Sequence, residues 1–357
     1  MPDQRPAKML LRNGLIFILM LTAVRCEANE VTDERKTAAT GDWAIAVHAG
    51  AGRLDFKPTP EQEAVYHAGL ARALAAGRVV LAEGGSAVDA VEEMVRALEN
   101  EPLFNAGRGS VMTIDGTFEL DASIMDGSNL KTGGVCGLKY SSNPISVARA
   151  VMDHTDHVLL GGPAADEFAL AQGFGTVSQE YFFTEKRFEA VQKRRQAQGL
   201  PPLPHPAKRN SEGTVGAVAR DQAGNLAAAT STGGRNGKMS GRIGDSPIAG
   251  AGNYAENGAA AVSGTGVGEQ FVRHSAAVQV AWFVKHLGLS LPVATDRVLN
   301  EVLTPGDGGM IAIGPSGPPV MRFTTESMAR GCADSLGTLQ TFIWPSEEPS
   351  PASPASP

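Results

Sequence analysis

The chain has 357 residues, 42% hydrophobic and 19% charged, with a formal net charge of -7. That length can bury a substantial core, as one large domain or two ordinary ones. The body holds no long basic run, which argues against nucleic acid as a partner because phosphate contacts need clustered Lys and Arg. A small molecule or a peptide is the expected substrate.

At the N-terminus Arg5, Lys8 and Arg12 precede the apolar run from Leu15 to Val24, and small residues follow near Ala28. This is the order of a secretory signal, expected over residues 1–28. The run is too short for a membrane-spanning helix, which needs about 20 apolar residues. A secreted or periplasmic location follows, with a flexible leader at 29–41 and no membrane association once the signal is removed. The cysteines are Cys26, Cys136 and Cys332, and no CxxC or Cys/His spacing points to zinc. Cys136 and Cys332 are read as buried thiols, with a disulfide between them left open.

The body begins at Asp42. Trp43 to Val47 reads as a short buried strand that ends in HAGAG, residues 48–52. Thr59-Pro60 with Gln62 is a capping box with Pro at the first helical position, and it starts a helix that runs towards Leu81. A second helix starts at Ser86 with Asp89 three residues on, and Val88, Val91, Val95 and Leu98 form its apolar face. A strand pair is expected around Ser110 to Met125, turning at Asp115-Gly116. Ser146 to Gln172 reads as mostly helical. From Phe188 to Gly213 the chain is charged and proline-bearing, and a mobile linker is expected at 188–213. It meets a strand at Thr214. Thr214 to Ala219 and Leu226 to Thr230 form a second strand pair, turning at Ala223-Gly224-Asn225. The Pro/Ser-rich tail, 346–357, lacks the apolar residues to pack and is expected to be disordered.

The boundary at Thr214 carries chemistry. A threonine hydroxyl needs a base to become a nucleophile, and a threonine at a free N-terminus supplies one in its own α-amine, whose pKa is about 7.7–8.0. In an intact chain that nitrogen is an amide and cannot act. Gly213, with no Cβ to clash, allows a strained peptide there that Thr214 could attack.

From Trp43 to about Trp344 run the blocks AIAVHAGAG (44–52), GGSAVDAVE (84–92), ENEPLFNAGRGSV (99–111), ELDASIMDG (119–127), GTVGAVARDQAGNLAAATSTGG (213–234), GRIGDSPIAGAG (241–252), AVSGTGVGEQFVR (261–273) and FTTESMARG (323–331). In these blocks and their order the sequence resembles the plant-type asparaginase and isoaspartyl peptidase family of N-terminal nucleophile hydrolases. The resemblance implies an α/β fold, a four-layer αββα sandwich, in which 42–345 form one globular domain. Cleavage between Gly213 and Thr214 would divide it into an α subunit, 42–213, and a β subunit, 214–345, associated as (αβ)2.

It also implies roles for single residues. Thr214 would be the nucleophile and Thr232 the hydroxyl beside it. Arg242 and Asp245 would hold the substrate's α-carboxylate and α-ammonium, with the Gly268 carbonyl near the amine. Thr265 and the Gly266 N–H would form the oxyanion hole. Asn105 would stand against the nucleophile. His48 is read as a structural neighbour of the site, because the α-amine already supplies the base. No catalytic cofactor is implied. A structural sodium ion is, held by the backbone carbonyls of Leu98, Glu99, Glu101, Phe104, Ala106 and Arg108.

Two departures stand out. Residues 235–240 (RNGKMS) differ from the family's usual loop, with Ser240 where proline is common, and Arg108 replaces a residue that is often small or apolar. The expected activity is hydrolysis of isoaspartyl dipeptides and L-asparagine. A glycosylasparaginase-like hydrolase is the alternative, although Gly213 and HAGAG favour the asparaginase branch. A non-catalytic secreted binding protein of the same fold would be expected to lose Thr214, Arg242 or the oxyanion positions, and all are present.

Overall fold

The computed structural model describes residues 41–52, 58–203 and 214–347. The expected signal and most of the leader, Gly213, and the tail beyond Glu347 lie outside the described residues.

The first strand, β1 (Ala44–Gly52), is followed by α1 (Pro60–Ala82) and α2 (Ala87–Glu99). Both helix starts follow the sequence. Thr59 and Gln62 form the reciprocal capping box, and the Ser86 side chain accepts from the Asp89 N–H. Next come β2 (Leu120–Asp126), β3 (Thr132–Leu138), α3 (Pro144–His154), β4 (Leu159–Gly161), α4 (Pro163–Ala171) and α5 (Glu185–Ala197). After Thr214 run β5 (Val215–Arg220), β6 (Leu226–Thr232), β7 (Asn253–Ala255), β8 (Ala261–Gly266), α6 (Gly268–His274), α7 (Ala276–Leu287) and α8 (Leu291–Arg297). The chain closes with β9 (Gly308–Ile313), β10 (Val320–Phe323), β11 (Ser327–Asp334) and β12 (Leu339–Phe342).

An eight-stranded sheet has the order β12-β11-β1-β5-β6-β2-β3-β4, and a four-stranded sheet the order β10-β9-β8-β7. Side chains alternate across each strand and fall into three cores. On β1, Ile45 and Val47 pack with Leu70, Leu74 and Met94 of the helices, whereas Ala44 and Ala46 pack with Ile311 and Ile313 of the second sheet. On β9, Met310 and Ala312 point the other way, to Phe271, Val280 and Val298. Three cores thus separate helices, sheet, sheet and helices, the αββα order expected. Covered on both sides, β5 and β6 are buried at every position, so they lack the polar alternation of a half-exposed strand.

Four local expectations need correction. The expected linker at 188–213 begins inside α5, because Phe188 and Val191 are buried on one side of that helix. The buried Arg195 also donates to the carbonyls of Pro201 and Ile114. Ser110 to Met112 form no strand. The Asp115-Gly116 turn does form, closed by Thr113 N–H donating to the Thr117 carbonyl, but Thr113 bridges Lys238 and not β2. The helical stretch to Gln172 is two helices with β4 between them. The body extends past residue 345, because the Glu347 carboxylate accepts from the Trp344 N–H.

Cys136 lies on β3 and Cys332 on β11, with β1, β5, β6 and β2 between them. At about 4.8 Å per strand this is roughly 24 Å, far beyond disulfide reach.

Candidate active site

Thr214 stands one residue before β5, in the middle of the larger sheet, and is half-buried. Its Oγ1 lies 3.0 Å from Thr232 Oγ1, at the end of β6. The Gly234 N–H donates to Thr232 Oγ1 at 2.9 Å, which leaves that hydroxyl's proton and a lone pair for Thr214. Asn105 fixes the same turn. Its Nδ2 donates to the Gly234 carbonyl at 2.7 Å, and its Oδ1 accepts from the Val111 N–H at 2.8 Å. Asn105 thus lines the cavity beside Thr214 and holds Gly234, whose N–H donates to Thr232.

The second sheet brings Thr265 and Gly266 to the same cavity, of about 200 Å³. The Ala51 N–H donates to Thr265 Oγ1 at 3.3 Å, so the Thr265 proton is available to a substrate oxygen. Gly266 has φ 151°, and a Cβ there would sit 2.0 Å from the Asp307 carbonyl oxygen. Only glycine fits.

Arg242, Asp245 and Gly268 meet on the β6 side. A Cβ on Gly268 would lie 2.6 Å from Asp245 Oδ1 and 2.9 Å from Arg242 Nη2. Gly234 connects this cluster to Thr232, since a Cβ there would lie 3.1 Å from Arg242 Nη1. Burial pushes the Asp245 carboxyl up to about 6, against the pull of its own backbone N–H and of Arg242. Its Oδ2 is buried with no hydrogen-bond partner among the described residues, so it can receive a cation.

Several participants had no role in the sequence reading. Glu269 Oε1 accepts from Arg242 Nε at 3.1 Å and Nη2 at 3.0 Å, and Arg235 Nη1 lies 3.6 Å from Glu269 Oε2. Glu269 follows Gly268 directly in the GVGEQ block, and that adjacency was the available clue. Lys238 is buried, donates to the Glu119 carbonyl at 2.8 Å, and lies close to Gly234. The departure at Ser240 has a local basis, because its hydroxyl donates to Asp115 Oδ2 at 2.6 Å.

His48 is fully buried, and its Nε2 lies 2.9 Å from Ser263 Oγ, which lies 2.7 Å from Thr230 Oγ1. Burial lowers the His48 pKa to about 3, although the nearby Thr214 backbone pulls it the other way. Burial thus favours the neutral imidazole.

In the loop from Leu98 to Arg108, the Glu101 and Ala106 carbonyls each accept one backbone N–H and keep a second lone pair, whereas the Leu98 carbonyl accepts from both Asn100 and Glu101. Gly107 has φ 48°, and a Cβ there would lie 2.5 Å from the Glu99 carbonyl oxygen. Arg108 fits where a small residue is usual by placing its guanidinium over the Tyr181 ring, 5.8 Å from the centroid. Among the described residues no His, Cys, Asp and Glu cluster could hold a metal.

The sequence pattern of the family described as asparaginase matches residues 41–343. The chain belongs to the asparaginase family. It is 47% identical over 307 residues to a Salmonella typhimurium protein named isoaspartyl peptidase, spanning 84% of this chain and 98% of that protein. An Escherichia coli isoaspartyl peptidase is 46% identical over 311 residues, spanning 85% and 97%. An Arabidopsis thaliana protein named probable isoaspartyl peptidase/L-asparaginase 2 is 40% identical over 325 residues, spanning 85% and 99%.

Proposed function

We propose that this asparaginase-family chain cuts itself before Thr214 and then hydrolyses isoaspartyl dipeptides and L-asparagine. The observation that carries the reading is the Thr214–Thr232 hydroxyl pair, 3.0 Å apart, with Thr214 lining a cavity that Thr265 and Gly266 also line. Two hydroxyls in contact beside a third suit acyl transfer.

Cleavage exposes the Thr214 α-amine, which takes the Oγ1 proton while Thr232 steadies the hydroxyl. The Arg242 guanidinium receives the substrate's α-carboxylate and Asp245 its α-ammonium, next to the Gly268 carbonyl. Both substrates carry this aspartyl head group. Thr214 Oγ1 attacks the side-chain carbonyl carbon, and the oxygen's developing charge is met by Thr265 and the Gly266 N–H. The carbon–nitrogen bond breaks, and the leaving nitrogen takes the proton held by the α-amine. Water then attacks the β-aspartyl ester, with the same amine as base, and Thr214 is regenerated.

The reading extends to an (αβ)2 assembly, to export of the mature protein, and to a sodium ion on the Leu98–Arg108 carbonyls that would brace the loop carrying Asn105. The decisive test is a denaturing gel of pure protein after incubation, with N-terminal sequencing. Two bands, the smaller starting at Thr214, are expected. An intact chain that turns over either substrate would overturn the mechanism.

A further inference from the structure

The cavity beside Thr214 differs in chemistry on its two flanks. Thr214 precedes β5, which lies between β1 and β6. The head-group residues Arg242 and Asp245 follow β6, and Gly268 follows β8. None of these three is among the cavity's lining residues. The opposite flank is built by Ala49 of β1, Pro58 just before α1, Tyr66 within it, Ser327 and Ala329 of β11 and Ile343 after β12, with Ser327 the one hydroxyl of an otherwise largely apolar wall. No described residue lining the cavity is charged. Tyr66, Ala329 and Ile343 also belong to the apolar core under the helices.

A β-aspartyl dipeptide must straddle Thr214. Its aspartyl head is pinned on the β6 side, so the bond to the leaving amino acid points towards the β1 and β11 side. We propose that this apolar flank is the subsite for the side chain of the leaving amino acid, and that it selects apolar leaving residues over charged ones. The proposal rests on the isoaspartyl peptidase reading above and adds its substrate preference.

The physics favours that choice. The cavity, about 200 Å³ in volume, has room for an aliphatic side chain. An apolar side chain entering it leaves water for apolar walls. A lysine or glutamate side chain would give up hydration with no opposite charge among the described lining residues to meet it. Ammonia, the leaving group of L-asparagine, has no side chain and does not reach the flank, so L-asparagine serves as an internal control.

The test compares kcat/KM of the processed enzyme on L-asparagine, β-aspartyl-leucine, β-aspartyl-lysine and β-aspartyl-glutamate. The leucine dipeptide is expected to exceed both charged ones by about tenfold or more. Ala329→Val should fill the flank and lower kcat/KM for β-aspartyl-leucine by about tenfold, with L-asparagine changed by less than about twofold. Ile343→Ala should widen the flank and shrink the leucine-to-lysine ratio, again sparing L-asparagine. Equal rates on leucine and lysine dipeptides, or variants that lower L-asparagine and dipeptide turnover alike, would overturn the subsite. Failure of the wild-type enzyme on every one of these substrates would overturn the isoaspartyl reading and the subsite with it.

Discussion

Thr232 Oγ1 is held by the Gly234 N–H and faces Thr214 Oγ1, so one hydroxyl orients another. Thr214→Ala should give an uncut chain without amidase activity, seen as a single band on a denaturing gel. Thr232→Val keeps the shape and removes the hydroxyl, and kcat on L-asparagine should fall by about 10²-fold or more. An unchanged kcat would show that the 3.0 Å contact is not used. Asp245 sets the pH response. Its pKa of about 6 lies above the usual carboxylate value, so the group loses its charge as pH falls through about 6 and can no longer hold an ammonium. The Thr214 α-amine, with a reference pKa of about 7.7–8.0, protonates in the same direction. The acid limb of log kcat/KM should therefore steepen towards two protons below about pH 6. In Asp245→Asn it should keep a one-proton slope at activity lowered by about 10²-fold. A wild-type limb that stays at one proton would remove Asp245 from substrate binding.

The strands carry these residues into place, and small side chains let the two sheets approach. His48 on β1, Ser263 on β8 and Thr230 on β6 form one buried hydrogen-bonded chain. Each lies two or three residues before a residue at the site: Ala51, Thr265 and Thr232. The chain passes over Gly216, where a Cβ would sit 2.0 Å from Ser263 Oγ and 2.4 Å from His48 Nε2. Gly216→Ala should cost about 1–3 kcal/mol by overpacking, measured as lower denaturant stability, and should slow cleavage before Thr214. At the end of α2, Glu99 is pushed up to about 8 by burial, against donors from Ser231, Asn143 and Ile145. Between its ordinary value and about 8 the folded state holds a proton that the unfolded chain releases, so this group's contribution to stability declines as pH rises through that window. Glu99→Gln should abolish that part of the decline, and a Tm-against-pH series of both proteins checks it. Element starts were legible because caps are local: Thr59 with Gln62, and Ser86 with Asp89. Helix α5 was not, because its sequence EKRFEAVQKRRQA is mostly charged. It is held by Phe188, Val191 and Arg195 against distant parts of the chain.

At the scale of the whole molecule, the gathering of Thr232, Thr265, Gly266, Arg242 and Asp245 around Thr214 was legible through family blocks long enough to carry a register. The Ser263 contact to His48 spans 215 positions, and no local pattern announces it. The apolar flank was equally hidden, because Ala49, Tyr66, Ala329 and Ile343 read as ordinary core until the sheet order sets them beside Thr214. That order also bears on the cut enzyme. Strand β1 lies before Thr214, yet its neighbours β11 and β5 both lie after it, and β2 pairs with β6 across the same divide. The two pieces should migrate as one particle on a native gel, and a faster second species would contradict this.

Interleaving of this kind gives maturation a direction in time. The uncut precursor folds with all its strands on one covalent thread. Once severed, the same arrangement can be regained after unfolding only if two separate polypeptides find each other and weave their edges back together. Heat or denaturant should therefore be reversible before the cut and, in dilute solution, a one-way loss after it.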